Sequence, residues 1–224
     1  MAILFDDTFA GSGSIDGHSP DTPFGSQLWV DADSTNLSGG FANSGYVGSS
    51  ADNISEAVYG DAGGGGYGLG EDLTVTFDHV SPATVTPGIP EAKGFRHIFN
   101  VSGLSIQILL DVFAAAWRLS LVTPLGTDSA TVTVAASTTY SGELTITDSA
   151  ISFTMFGQTV TAIDTFPGSG GLKEIVLGVG AKSQIGFMTI ADTVVLGSVI
   201  DITLPMPTVL VNSGDTYSLP SLPM

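Results

Sequence analysis

Apolar and polar residues alternate with period two along much of this chain. In Leu73-Thr-Val-Thr-Phe77 the alternation is strict, which puts Leu73, Val75 and Phe77 on one face of a strand. The same rhythm runs through Trp117-Arg-Leu119-Ser-Leu121, Val132-Thr-Val134, Leu144-Thr-Ile146 and Ile151-Ser-Phe153-Thr-Met155. Asp148-Ser149 reads as a tight connection, and Gly157-Gln158 as another, leading into a strand over Val160–Ile163. Further strands are predicted over Lys173–Val179, Ile185–Ile190 and Thr193–Leu204. Many short strands with frequent turn signals predict an all-β sandwich or jelly roll.

Two stretches break the rhythm. Residues 10–70 are rich in Gly, Ser, Asp and Asn, with apolar islands at Trp29-Val30, Phe41, Tyr46-Val47 and Ala57-Val58-Tyr59. These predict brief strands between long surface loops. In the second stretch, Ile106, Leu109, Leu110, Phe113 and Trp117 match helical spacing, while Ile106, Ile108 and Leu110 match strand spacing. The β-rich surroundings favour the strand. The division expected is one sandwich domain over residues 1–204 and an extended arm over 205–224. Pro205, Pro207, Pro220 and Pro223 keep the arm out of a central strand. Its side chains Leu210, Tyr217, Leu219, Leu222 and Met224 are poorly placed in water, and Val209, Leu210 and Val211 have the β-propensity to add a strand to a partner's sheet, so these are the expected interface residues; an ordinary frayed tail is the alternative.

Composition narrows the function. The 224 residues carry 5 Lys plus Arg against 22 Asp plus Glu, a formal net charge of −17. Five cations neutralise few phosphates, so no nucleic-acid partner is expected, and an anionic membrane surface would repel the chain. Leu104–Val122 is apolar, but Gln107, Asp111 and Arg118 interrupt it, so no membrane span is expected. The first residues have no basic n-region and no long apolar run, so no secretory signal is expected. The absence of Cys removes disulfides, thiolate nucleophiles and Cys-based metal sites.

Candidate chemistry is sparse. His18, His79 and His97 have no Gly-x-Ser-x-Gly elbow to serve, and a structural hydrogen bond is the expected role of His18. Asp31, Asp33 and Asn36, or Asp6 and Asp7 beside Asp192, could gather oxygen ligands for calcium. Solvated carboxylates are the simpler reading, and no metal or cofactor is expected. Gly63–Gly66 lacks the Lys of a phosphate loop. Trp29, Tyr46, Tyr59 and Tyr67 could stack on sugar rings, although core roles are expected for Trp29 and Trp117; no sugar site can be placed.

Leu4-Phe-Asp-Asp-Thr-Phe9, then Gly17-His-Ser-Pro-Asp21, then Leu28-Trp29-Val30 resembles the opening of the concanavalin A-like, laminin-G-like jelly-roll domains of bacteriophage virion proteins. Leu144–Ile163 and Ile185–Ile190 resemble that family's paired strands and closing strand, although Phe156-Gly157 stands where the family has an Asn-Gly-like turn. The resemblance implies a concanavalin A-like jelly-roll β-sandwich spanning roughly residues 3–203. Glucanases of this fold carry Glu-x-Asp-x-x-Glu on one strand. None of Glu56, Glu71, Glu91, Glu143 and Glu174 belongs to such a run, so no enzyme activity is expected. The resemblance further implies a virion structural protein, such as a capsid decoration or head-fibre protein, assembled in the host cytoplasm. Its expected partners are a major capsid or tail protein, further copies of the chain and a possible surface glycan. A minor tail protein or lectin-like adhesion module is the alternative.

Overall fold

The computed structural model describes residues 2–10, 13–31, 38–39, 46–47, 54–60, 72–87, 94–101, 103–147, 149–162, 171–180 and 182–193. The strands in the N-terminal third are β1 (Ala2–Asp7), β2 (Gly13–Ser14), β3 (Val30–Asp31), β4 (Ser38–Gly39), β5 (Tyr46–Val47) and β6 (Ile54–Gly60). Then follow β7 (Asp72–Val80), β8 (Phe95–Val101), β9 (Leu104–Phe113), β10 (Ala116–Thr123) and β11 (Gly126–Val132). The remainder are β12 (Thr139–Ile146), β13 (Ile151–Met155), β14 (Gln158–Ala162), β15 (Leu172–Gly180) and β16 (Gln184–Thr193). No helix occurs among the described residues.

The strands form two antiparallel sheets. Sheet A runs β14-β13-β12-β7-β16-β5-β4-β2, with β1 also paired to β16. Sheet B runs β11-β10-β9-β8-β15-β6-β3. The chain lays β8 to β11 side by side in sheet B and then β12 to β14 in sheet A. It next returns β15 between β8 and β6, and β16 between β7 and β1. This is the concanavalin A-like jelly-roll β-sandwich. Period-two burial is visible along β7, where Leu73, Val75, Phe77 and His79 point inward and the residues between them do not. The inner faces meet in one core that includes Trp29, Tyr59, Phe77, Phe95, Phe99 and Phe153.

The β reading of 104–117 holds: β9 pairs with β8 over residues 104–110 and with β10 over 107–113, and a turn at Ala114-Ala115 leads into β10. Two expectations need correction. Of the strand placed at Val132–Val134, only Val132 belongs to a strand, as the last residue of β11, which starts at Gly126. The segment Gly126-Thr-Asp-Ser129 carries no apolar alternation, because it is an exposed edge paired with β10 alone. Ile185–Ile190 and Thr193, the first residue of the expected Thr193–Leu204, lie in one strand, β16, whose register with β7 shifts between Ile185 and Met188; residues 194–204 lie outside the described residues. Residues 194–224, and with them the expected arm and Val209, Leu210, Val211, Tyr217, Leu219, Leu222 and Met224, lie outside the described residues.

Candidate functional site

The histidines are taken up by structure. Asp7 is fully buried, and its carboxylate accepts bonds from Trp29 Nε1 (2.8 Å), the Phe9 amide (2.7 Å) and His18 Nε2 (3.0 Å). Burial pushes the Asp7 pKa up, while the bonds from His18, Trp29 and Phe9 pull it down. The backbone completes this unit: the Gly17 amide donates to the Trp29 carbonyl and the Trp29 amide to the His18 carbonyl. Asp21 accepts from the amide and hydroxyl of Thr8, and these bonds hold its pKa low. His18 thus has the structural hydrogen bond expected of it, and Trp29 has its core role.

His79 and His97 point into the sandwich from opposite sheets and are both fully buried. The His97 ring stacks on Phe95 at 4.8 Å, and His79 meets the same Phe95 ring at 4.9 Å. His97 Nδ1 accepts from the Gly178 amide at 3.3 Å. Neither ring nitrogen of His79 has a hydrogen-bond partner. Burial pushes the His79 pKa down to about 3, and burial with the nearby His79 holds His97 well below its ordinary value. Sealed inside, neither can meet a substrate.

The calcium candidates separate in the same way. Asp6 and Asp7 are neighbours on one strand and so face opposite sides. Asp6 accepts from Thr189 outside, while Asp7 is enclosed. Asp31 lies on β3, and its amide is 3.3 Å from Asp16 Oδ1. Asp33 and Asn36 lie outside the described residues. No metal-holding group of three His, Asp or Glu occurs among the described residues. Of the aromatic candidates for sugar stacking, Tyr59 is fully buried and donates to the Phe24 carbonyl at 2.9 Å, so it belongs to the core. Tyr67 lies outside the described residues.

The outer face of sheet B is differently built. Strand alternation turns Arg96, Ile98 and Asn100 of β8 outward, together with Gln107, Leu109, Asp111 and Phe113 of β9. Arg118 lies directly opposite Asp111 and donates to it twice, from Nε to Oδ1 (3.2 Å) and from Nη2 to Oδ2 (2.8 Å). That pairing raises the Arg118 pKa further. Arg96 reaches Glu56 at 2.7 Å although β15 lies between their strands. The residue of β15 that pairs with both is Gly178, and its missing side chain leaves the lane open. A Cβ there would strike the Arg96 carbonyl oxygen and sit 2.8 Å from Ile54 Cγ2. Asn100 Nδ2 donates to Glu174 at 2.6 Å on the neighbouring strand. Lys173 shares a hollow with Asn100 and Ser105. An apolar row of Val30, Val58, Val176 and Ile98 crosses four strands in register.

The carboxylates on this face are far apart. Glu56 pairs with Gly178 and Glu174 lies four residues back on β15, a separation of about 13 Å at the rise of a strand. Glycosidase pairs stand about 5–9.5 Å apart. On sheet A, Asp78 accepts from Ser141 at 2.6 Å and stands diagonal to Glu143, which is two residues along β12.

No protein family matches the chain, and no curated protein matches it. Solved structures resemble it at low identity. Galectin LEC-6 of Caenorhabditis elegans is 9% identical with a TM-score of 0.42, over 60% of this chain and 89% of that one. The CBM2 module of the evolved Dit protein of Lactobacillus casei BL23 phage J-1 is 10% identical with a TM-score of 0.47, over 84% and 94%. SCLam, a non-specific endo-β-1,3(4)-glucanase of family GH16, is 11% identical with a TM-score of 0.45, over 84% and 89%. At these values the likeness assigns neither a family nor a ligand.

Proposed function

We propose that this chain is a non-catalytic structural protein of a bacteriophage particle and that the outer face of sheet B binds surface carbohydrate. The observation that carries the binding reading is the set of fixed donor–acceptor pairs on one face: Arg96 with Glu56, Asn100 with Glu174, and Arg118 with Asp111. A sugar hydroxyl donates and accepts at once, so planar polar side chains held in pairs suit it, and the apolar row between them suits the faces of sugar rings. The virion reading rests on the resemblance of the N-terminal segments. Its support is that Asp7, His18 and Trp29, taken from all three segments, meet in one hydrogen-bonded unit. In this reading the chain sits on the particle exterior as a decoration or head-fibre protein. Residues 205–224 contact a capsid or tail protein or another copy.

The test is a glycan array with the full chain, alongside Arg96→Ala and Asn100→Ala. Specific binding that both variants lose supports the reading; binding unaffected by either refutes this face. Immunogold labelling of intact particles tests the location. Hydrolysis of a polysaccharide panel, lost in Asp78→Asn or Glu143→Gln, would overturn the non-catalytic reading.

A further inference from the structure

We propose that the tip of the β9–β10 hairpin is a subsite for an uncharged pyranose ring, with Phe113 as the stacking platform and Arg118 and Asp111 as partners of its hydroxyls. This rests on the carbohydrate-binding reading of sheet B and names the ligand class at one point of that face. Phe113 is 59% exposed, the one aromatic among the large apolar side chains left in water in the described residues. One face of its ring is covered: Arg118 Cζ lies 4.2 Å from the ring centroid. The guanidinium is itself clamped by two bonds to Asp111, so the ring rests on a fixed plane while most of the residue stays exposed. An exposed aromatic face attracts the C–H side of a pyranose, and a ring already fixed loses little freedom on binding.

The polar partners complete the site. Two of the five N–H groups of Arg118 go to Asp111, which leaves three donors beside the ring, and each Asp111 oxygen keeps accepting capacity. The pair is neutral as a unit, and the chain around it is acidic with a net charge of −17, so an uncharged sugar is favoured over a uronate. The turn itself is unusual. Ala114 and Ala115 both have positive φ, 49° and 64°, which is the conformation that Asn-Gly adopts with less strain. Local strain of this kind clusters at ligand sites.

The experiment is titration calorimetry of the full chain against neutral glucans, galactans and mannans and against uronate polymers. The variants are Phe113→Ala, Phe113→Trp and Arg118→Lys. The expected result is binding to a neutral polymer, weakened tenfold or more by Phe113→Ala and kept or strengthened by Phe113→Trp. Arg118→Lys should weaken it too, because an ammonium cannot form the planar pair. The Trp variant should also shift its fluorescence on adding the polymer, a readout that a purely structural Phe would not give. Wild-type affinity in Phe113→Ala, with binding lost in Arg96→Ala, overturns the subsite and leaves the wider reading standing. Tighter binding of uronates overturns the ligand class. Absence of glycan binding by the wild-type chain overturns both. If Phe113→Ala fails to fold, Phe113→Trp and Arg118→Lys still decide.

Discussion

The indole Nε1–H of Trp29 donates to the carboxylate of Asp7 at 2.8 Å, and both side chains are fully buried. The two residues are 22 positions apart. Their bond ties the end of β1 to the entry of β3, and so joins an edge of sheet A to an edge of sheet B.

Asp7→Ala should be severely destabilising. It orphans the buried donors Trp29 Nε1 and the Phe9 amide, each at about 1–3 kcal/mol, so a loss of about 3 kcal/mol or more is expected. His18→Ala should lose about 1 kcal/mol, since His18 is partly exposed and water can replace it. Urea unfolding of both variants measures the difference; equal losses would contradict this account.

Acid should unfold the protein through His79 and His97. Their pKa values are depressed in the fold, to about 3 for His79, so the unfolded chain binds more protons between pH 3 and 6.5. The stability contribution is whole above about pH 6.5 and is lost as pH falls towards 3. For His79 the loss is on the order of 5 kcal/mol, comparable to the whole stability of a small domain. Asp7, with its raised pKa, works in the opposite sense, losing stability as pH rises from 3.8. His79→Leu replaces an unpartnered polar ring by an apolar group of similar size. It should leave stability at pH 7 unchanged or higher and move the acid midpoint down; an unchanged midpoint refutes the assignment.

Gly178→Ala should cost about 2–3 kcal/mol, because the new Cβ strikes backbone rather than a movable side chain. It should also weaken the Arg96–Glu56 pair, whose lane it fills. Gly126→Ala meets nothing within 4 Å and should stay within about 0.5 kcal/mol of wild type. Thermal melts of the two variants side by side give the comparison.

Asp128 of β11 accepts from the Thr161 amide of β14 at 2.9 Å, blunting the edge of sheet A. Asp128→Ala should change stability by less than about 1 kcal/mol but increase self-association, because it frees an edge amide and removes a charge. Sedimentation velocity across a concentration series checks this; an unchanged profile would show that the cap does not matter.

Truncation after Leu204 addresses the proposed arm. The expected outcome is a folded domain that no longer joins its assembly. Unfolding would place the segment in its own domain's core, and unchanged assembly would make it a passive tail.

Most strands from β7 onward were legible because alternation is a local property. Leu73, Val75 and Phe77 declare their face within five residues, as do Ile151, Phe153 and Met155. Edge strand β11 was not legible at Gly126–Ser129, because an exposed edge does not require apolar alternation. Phe113 was also missed as a surface group. It fits an apolar pattern shared with its buried neighbours, and its exposure follows from its place on the outer face of β9, beyond the last fully buried residue, Leu110, at the hairpin tip. One signal was available: Asp111 and Arg118 stand symmetrically about Ala114-Ala115, as a hairpin pair would.

The sequence by itself determined the all-β class, the inward role of Trp29 and Trp117 and the absence of thiol chemistry. Each depends on residue type or on spacing over a few positions. The tertiary structure alone decided which groups meet. Asp7 finds Trp29, and Arg96 finds Glu56 across Gly178. His79 and His97, carried by opposite sheets, meet at one Phe95 ring. The physical reason is that alternation fixes which residues share a face of one strand, whereas strand order and register come from non-local pairing. A single-residue slip in that pairing would exchange every partner on the face.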